Sequence, residues 1–259
     1  MLIDIHSHLD HPHFADNIDS IIENAKKANL KIIFTAGINP ETNRKTLELA
    51  KKYDIIKPCL GIYPPETLQT EIASGEYPLK ENKFDIDEEI KFIQKNKDKI
   101  VAIGEVGLDY SQGENKKNQK ILFEKMISLA EKTNKPLIVH SRKAEQDCVD
   151  ILETSKLKKI IMHCFCGKKR LVKKIEDNGW FLTIPTNVVR SEQFQFIARE
   201  IPITQLFCET DAPYLSPYKD QRNEPAFVLE SYKKIAEIKG MELKEVVNNV
   251  WMNWQKTFQ

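Results

Sequence analysis

The first ten residues, MLIDIHSHLD (1–10), carry a short β-prone run straight into His6 and His8. Side chains alternate across a strand, so residues two apart share a face and these two histidines point the same way. The arrangement recurs along the chain: IVAIGE ends at Glu105, PLIVH at His140, IIMH at His163 and LFCETD at Asp211. By the same parity Glu105 shares a face with Ile103, His140 with Ile138, His163 with Ile161, and Asp211 with Glu209. Parallel strands covered on both sides read as nearly continuous Val, Ile and Leu, and in a (β/α)8 barrel functional side chains gather at the C-terminal strand ends. Six metal-favouring side chains at five such ends predict an α/β barrel with a metal centre at its mouth.

Eight apolar runs of strand character fit that architecture: 2–6, 32–37, 55–62, 100–105, 136–140, 159–164, 180–184 and 206–210. Helical patterns separate most of them, and strand-helix alternation on this scale implies a parallel sheet. Asp85 and Glu88 read as a capping box ahead of Ile86, Ile90 and Ile93, while Gly179 and Gly240 fall where helices should end. Two further helical stretches, near 223–239 and 242–256, follow the eighth strand. Two connections are long: Tyr63 to Phe84, with Pro64, Pro65, Gly75 and Pro78, and Ala212 to Pro225, with Pro213, Pro217 and Arg222. Both follow strands, which places them on the ligand-bearing face. No linker, low-complexity tract or internal repeat divides residues 1–259, which are read as one domain.

Composition narrows the classes. A chain of 259 residues with 41% hydrophobic and 30% charged residues suits one large α/β domain. Lys+Arg 39 against Asp+Glu 38 leaves a formal charge of +1, so no global field draws the chain to polyanions, and any polyanion must be held locally. Asp4 and the early histidines are incompatible with a signal-peptide core, and no apolar stretch approaches the roughly 20 residues of a membrane span, which together predict a cytoplasmic protein without a membrane partner. Five cysteines without an export signal are expected to be reduced. Strand parity puts Cys164, Cys166 and Cys208 opposite His163 and Glu209, facing the helical layer as small hydrophobes.

Four histidines in one structural position carry more weight than any one alone. Imidazoles and carboxylates together suit Zn, Mn, Fe or Mg, and the lack of an inward cysteine argues against a closed structural zinc site. Six ligands exceed the needs of one catalytic ion, so two ions are expected, with Glu105 best placed to bridge them from a middle strand. Such a pair can clamp the attacking and leaving oxygens of a hydrolytic displacement. Arg142, two residues after His140, can hold a phosphate through its planar fork. His11 and His13 are expected to decorate the first loop, and Lys168, Lys169 and Arg170 to form a solvated face at a helix start.

DIHSHLD (4–10), GEVGLDY (104–110), VHSR (139–142), HCFCG (163–167), ETDAPYL (209–215) and RNEP (222–225) together resemble the TatD family of metal-dependent hydrolases, in the family's order across almost the whole chain. The resemblance implies a TIM-barrel deoxyribonuclease with two divalent ions (Zn, Mg or Mn), acting on single-stranded DNA or DNA ends in the 3′–5′ direction, as a monomer or weak homo-oligomer. It would give His6, His8 and Asp211 to one ion, His140 and His163 to the other, and Glu105 to both, with Asp211 also orienting or deprotonating the attacking water. Arg142, Tyr63 and Arg222 would contact substrate. Many members carry GIHPH after the third strand, where this chain has Gly61-Ile62-Tyr63-Pro64-Pro65. A phenol does not replace imidazole as an acid near neutral pH, though it can donate a hydrogen bond to phosphate. Barrel and metals alone leave open an ester or amide hydrolase on the same scaffold, or a non-catalytic metal-binding barrel. The pairing of Glu105 with Asp211 speaks against the latter.

Overall fold

The computed structural model describes residues 1–75, 77–79, 83–111 and 115–259. Among them, eight strands form one parallel sheet in sequence order: β1 Leu2–Ser7, β2 Leu30–Gly37, β3 Ile56–Leu60, β4 Ala102–Gly107, β5 Leu137–His140, β6 Ile160–Met162, β7 Phe181–Pro185 and β8 Leu206–Glu209. All pair in parallel, with Ile33 opposite Ile56, Leu137 opposite Ile160 and Pro185 opposite Glu209. Strand ends fall within a few residues of the expected runs, because each is a largely apolar stretch buried along most of its length.

The coat is helical: α1 Ile18–Lys27, α2 Pro40–Lys52, α3 Pro65–Ser74, α4 Ile86–Lys95, α5 Lys116–Thr133, α6 Glu145–Glu153, α7 Lys169–Asp177, α8 Glu192–Glu200, α9 Leu229–Lys239 and α10 Leu243–Phe258. In α5, Leu122, Phe123, Met126, Leu129 and Ala130 recur at helical spacing and are buried against the barrel. Gly240 caps α9 at φ 61°, and Gly179 follows α7 at φ 70°. Asp85 caps α4 by accepting from the Asp87 and Glu88 amides, but the reciprocal half of the expected box is absent: Glu88 bonds Lys91 instead, at 2.7 Å. None of the helices formed by described residues is long and apolar enough to cross a membrane.

Closure between β1 and β8 rests on side chains as much as on backbone. The Asp211 amide donates to His6 O (2.9 Å) and the His8 amide to Ala212 O (2.8 Å). Below them, the Asp4 carboxylate accepts from the Thr210 amide (2.9 Å) and hydroxyl (2.6 Å), and the Tyr232 hydroxyl of α9 donates to Ile3 O (2.9 Å). Asn223 ties the loop after β8 by donating to Thr210 O (2.7 Å) and Tyr214 O (2.6 Å). This stitching sets Asp211 beside His6 and His8.

Two glycines bring β4 close to its neighbours. A Cβ on Gly61 would lie 2.2 Å from Glu105 O, and one on Gly107, at φ +145°, would lie 2.0 Å from His140 O. Only a hydrogen fits at either place, so the ends of β3, β4 and β5 draw together around Glu105.

Both long connections reach the same end of the barrel. Tyr63, Glu71 and Tyr77 from the first, and Tyr214 and Leu215 from the second, line one cavity of about 460 Å³. The first is not a plain loop, because Pro64 and Pro65 start helix α3. Residues 76 and 80–82 of that connection lie outside the described residues.

Candidate metal centre

Glu105 leaves the end of β4 with its carboxylate on the cavity floor, only 4% of the side chain exposed. Its two oxygens serve opposite sides. Oε2 lies 3.2 Å from His8 Nε2 and 3.4 Å from His6 Nε2, both from β1 and the residue that follows it. Oε1 lies 2.9 Å from His140 Nδ1 and 3.1 Å from His163 Nε2. Asp211 joins the first side, with Oδ1 3.5 Å from His8 Nε2 and 3.6 Å from His6 Nε2. The two sides back onto each other through the rings of His6 and His163, stacked at 4.0 Å.

The six residues expected from strand-end parity are thus brought together, and two compact triads share Glu105: His6, His8 and Glu105, and Glu105, His140 and His163. The donor set fits a divalent ion. His8 Nδ1 lies 3.0 Å from Ala36 O, which can only accept, so the proton of a neutral ring sits there and the lone pair of Nε2 faces two carboxylates. Lone pair against carboxylate is repulsive unless a cation stands between.

The charge pattern of the metal-free protein says the same. Burial opposes charge on His8, but hydrogen bonds to Asp211 and Glu105 outweigh it and raise its pKa well above the usual value. His140 also resists burial and is pushed up to about 9 by its bonds to Asp109 and Glu105. His163 is raised against its burial by the field of Glu105 and its bonds to Glu105 and Glu209. His6 moves the other way, lowered by burial and by the charge of His163. Despite their own burial, Glu105 and Asp211 are held below the usual carboxylate range by the histidines around them. Protons here hold places a metal cation would take.

The family model for TatD-related DNases matches residues 3–259. The chain belongs to that family. It is 34% identical over 263 residues to deoxyribonuclease TATDN3 of Homo sapiens, covering 99% of this chain and 94% of that protein. An uncharacterized metal-dependent hydrolase of Methanocaldococcus jannaschii is 36% identical, with 99% and 96% covered. Among solved structures, a TatD homologue from Escherichia coli K12 superposes at TM-score 0.86 with 22% identity, covering 99% of this chain and 97% of that one. A TatD-family hydrolase from Entamoeba histolytica gives 0.84 at 24%, with the same coverage. These two likenesses establish the TIM-barrel fold.

Within this TatD-family barrel, some expectations need correction. Cys164 and Cys166 do not face the helices: β6 ends at Met162, Cys164 adopts φ 45°, and alternation lapses, so both line the cavity. Cys208, inside β8, is fully buried. Tyr63 lines the cavity, but its hydroxyl is committed to Asp109 Oδ2 at 2.7 Å, which removes it as a free donor to substrate. Arg222 is exposed and is not among the cavity-lining residues. Arg142 does line the cavity, half exposed, with Nη1 3.8 Å from Glu71 Oε1. His11 is buried rather than decorative. It caps the turn Pro12–Phe14, packs on Tyr77, and burial lowers its pKa to about 3.

Two carboxylates escaped notice as site residues. Asp109 Oδ2 lies 2.8 Å from His140 Nε2. Glu209 Oε2 lies 3.6 Å from His163 Nδ1, while its Oε1 accepts from the Thr183 hydroxyl and the Cys164 amide. His6, His163 and Glu209 are compact enough to form a third triad, but His163 meets Glu209 with the nitrogen turned away from Glu105. Metal-bound imidazoles commonly give their second nitrogen to a carboxylate in this way. Glu209 shares the inward parity of Asp211, which was the available signal. Asp109 shares the parity of Glu105 and lies within GEVGLDY, but it follows the end of its strand, past Gly107 at φ 145°, where alternation no longer fixes direction.

Proposed function

We propose that this chain is a two-metal phosphodiesterase that hydrolyses DNA, removing nucleotides from single-stranded DNA or DNA ends in the 3′–5′ direction. Membership of the TatD-related DNase family and a buried cluster able to hold metal support metal-dependent hydrolysis of ester bonds. The observation that carries the two-metal reading is the carboxylate of Glu105, each oxygen of which faces its own pair of imidazoles. His6, His8 and Asp211 would hold one ion, His140 and His163 the other, and Glu105 both. Bound divalent ions supply Lewis acidity at the phosphate and a nucleophile at neutral pH.

The chain's own residues do the rest. Asp211 reaches the cavity, where its carboxylate can orient the attacking water and take its proton. Arg142, on the cavity wall, can grip a phosphate oxygen pair with its fork. Glu71 and Glu145 on the same wall repel a polyanion, so binding depends on the metals, Arg142 and its neighbour Lys143 rather than on a general basic surface. The relatives' names carry the choice of DNA, and we place the reaction in the cytoplasm with the protein acting as a monomer or weak homo-oligomer.

The test is a panel of end-labelled single- and double-stranded DNA, RNA, and generic phosphodiester, ester and amide substrates, each with Mg, Mn, Zn or chelator. Metal-dependent release of mononucleotides from DNA 3′ ends is expected. Turnover of esters or amides with no phosphodiester cleavage would instead establish the same scaffold working on another electrophile.

A further inference from the structure

His140 differs from the other three imidazoles in the cluster. His6, His8 and His163 turn Nε2 to Glu105, whereas His140 turns Nδ1, 2.9 Å from Oε1. A half-turn of the ring about its broad terminal torsion would present a carbon instead, and the wrong tautomer would present a proton. Something must fix both. Asp109, fully buried, lies beneath the far edge of the ring with Oδ2 2.8 Å from His140 Nε2. An ionised carboxylate only accepts, so the ring proton sits on Nε2 and the Nδ1 lone pair faces the cluster.

Asp109 is itself held on every side. The Ser111 amide (2.7 Å) and hydroxyl both donate to Oδ1, and Tyr63 donates to Oδ2. Gln119 clamps its backbone, accepting from the amide and donating to the carbonyl, each at 2.8 Å. Tyr63 also packs edge-on against the His140 ring at 4.9 Å. The Tyr63 hydroxyl, the Asp109 carboxylate and the His140 ring therefore form one chain ending at Glu105. We propose that Tyr63 and Asp109 are positioning residues that set the ring orientation and tautomer of His140, and so the affinity of the metal side formed by His140, His163 and Glu105. This rests on the metal reading given above. It also gives Tyr63 a task that does not involve touching substrate.

Asp109→Asn is a sharp test because Ser111 dictates the amide's orientation. Two donors at Oδ1 demand the amide oxygen there, which puts NH2 where Oδ2 was. His140 must then accept at Nε2 and carry its proton on Nδ1, facing Glu105. Metal-free wild type and variants would be titrated calorimetrically with Mn2+ and with Zn2+. Wild type should take up two ions. Asp109→Asn should weaken one of them by roughly 10- to 100-fold, the usual effect of losing such a partner, so that stoichiometry falls towards one at concentrations saturating the wild type.

Tyr63→Phe removes a single hydroxyl and serves if Asp109→Asn fails to fold. It should weaken the same ion several-fold and raise the metal concentration for half-maximal turnover, with KM unchanged. Wild-type metal binding in both variants would overturn the proposal, as would Tyr63→Phe raising KM with metal affinity intact. Failure of the wild type to bind any divalent ion would instead overturn the metal reading beneath it.

Discussion

Replacing Glu105 by Gln should separate the two tasks of this carboxylate, neutralising charge and bridging. Its oxygens lie 2.9 to 3.4 Å from four imidazole nitrogens, and its side chain is 4% exposed. An amide offers one oxygen to one side and an NH2, without a lone pair, to the other, so only one side keeps its ligand. In the metal-free protein the change removes the anion that offsets the raised histidines. Removing one partner of a buried ion pair costs about 3 to 5 kcal/mol, and the amide's residual hydrogen bonding favours the lower end. For a domain of this size about 3 kcal/mol is worth roughly 6 to 12 °C in melting temperature. Bound-metal stoichiometry should fall from two to one, and kcat by at least about 100-fold, the scale on which loss of one preorganised electrostatic group is felt. Metal analysis, melting and phosphodiester hydrolysis on the same preparation would check this. A variant that keeps two ions and full turnover would refute the bridging role. Loss of folding even with metal present would mark the site as structural.

Arg142→Lys keeps the charge but loses the fork, so KM for an oligonucleotide should rise by the equivalent of about 1 to 3 kcal/mol while an uncharged ester is turned over as before; unchanged oligonucleotide KM in steady-state kinetics would remove Arg142 from phosphate binding. The pH dependence has a definite sign. His8, His140 and His163 are raised in the folded metal-free protein, so their contribution to stability is complete below the unfolded value of about 6.5 and is lost as pH rises, for His140 through about 9. Glu105 and Asp211 are lowered, so their contribution is present above the ordinary carboxylate range and lost on acidification. Melting of chelator-treated protein should therefore decline from pH 6.5 to 9, and saturating Mn2+ should flatten the decline; a metal-free profile level across that window would contradict this electrostatic account.

The barrel and the convergence of the candidate ligands were legible because both obey local periodicity. Largely apolar runs gave strands buried along most of their length, and alternation carried His6, His8, Glu105, His140 and His163 inward at their ends. Asp211 came along with them, although β8 ends at Glu209 and Asp211 itself adopts φ 56°. That outcome owes more to the seam with β1, where its amide bonds His6 O, than to parity. Cys164 shows where the rule stops: one residue past His163 the backbone turns left-handed, and the thiols expected among the helices stand at the cavity wall.

What lies between strand ends required the tertiary structure. Tyr63 and Asp109 are 46 residues apart, and only the close approach of β3, β4 and β5 brings the phenol to the carboxylate. Glu209 and His163 face each other from β8 and the end of β6. Asp4 looks in sequence like an interruption of an apolar run, yet it closes the barrel through Thr210, 206 residues away. Arg222, in the same connection as the cavity-lining Tyr214 and Leu215, remains exposed, while its neighbour Asn223 is buried and bonded to Thr210 and Tyr214. Sequence by itself determined the direction faced by His6, Glu105 and His140, which lie inside their strands, since alternation is a property of the local backbone. Which nitrogen each imidazole turns inward, and what carboxylate holds its other edge, was decided only by folding, because those partners meet through strand packing and loop closure that no local period encodes.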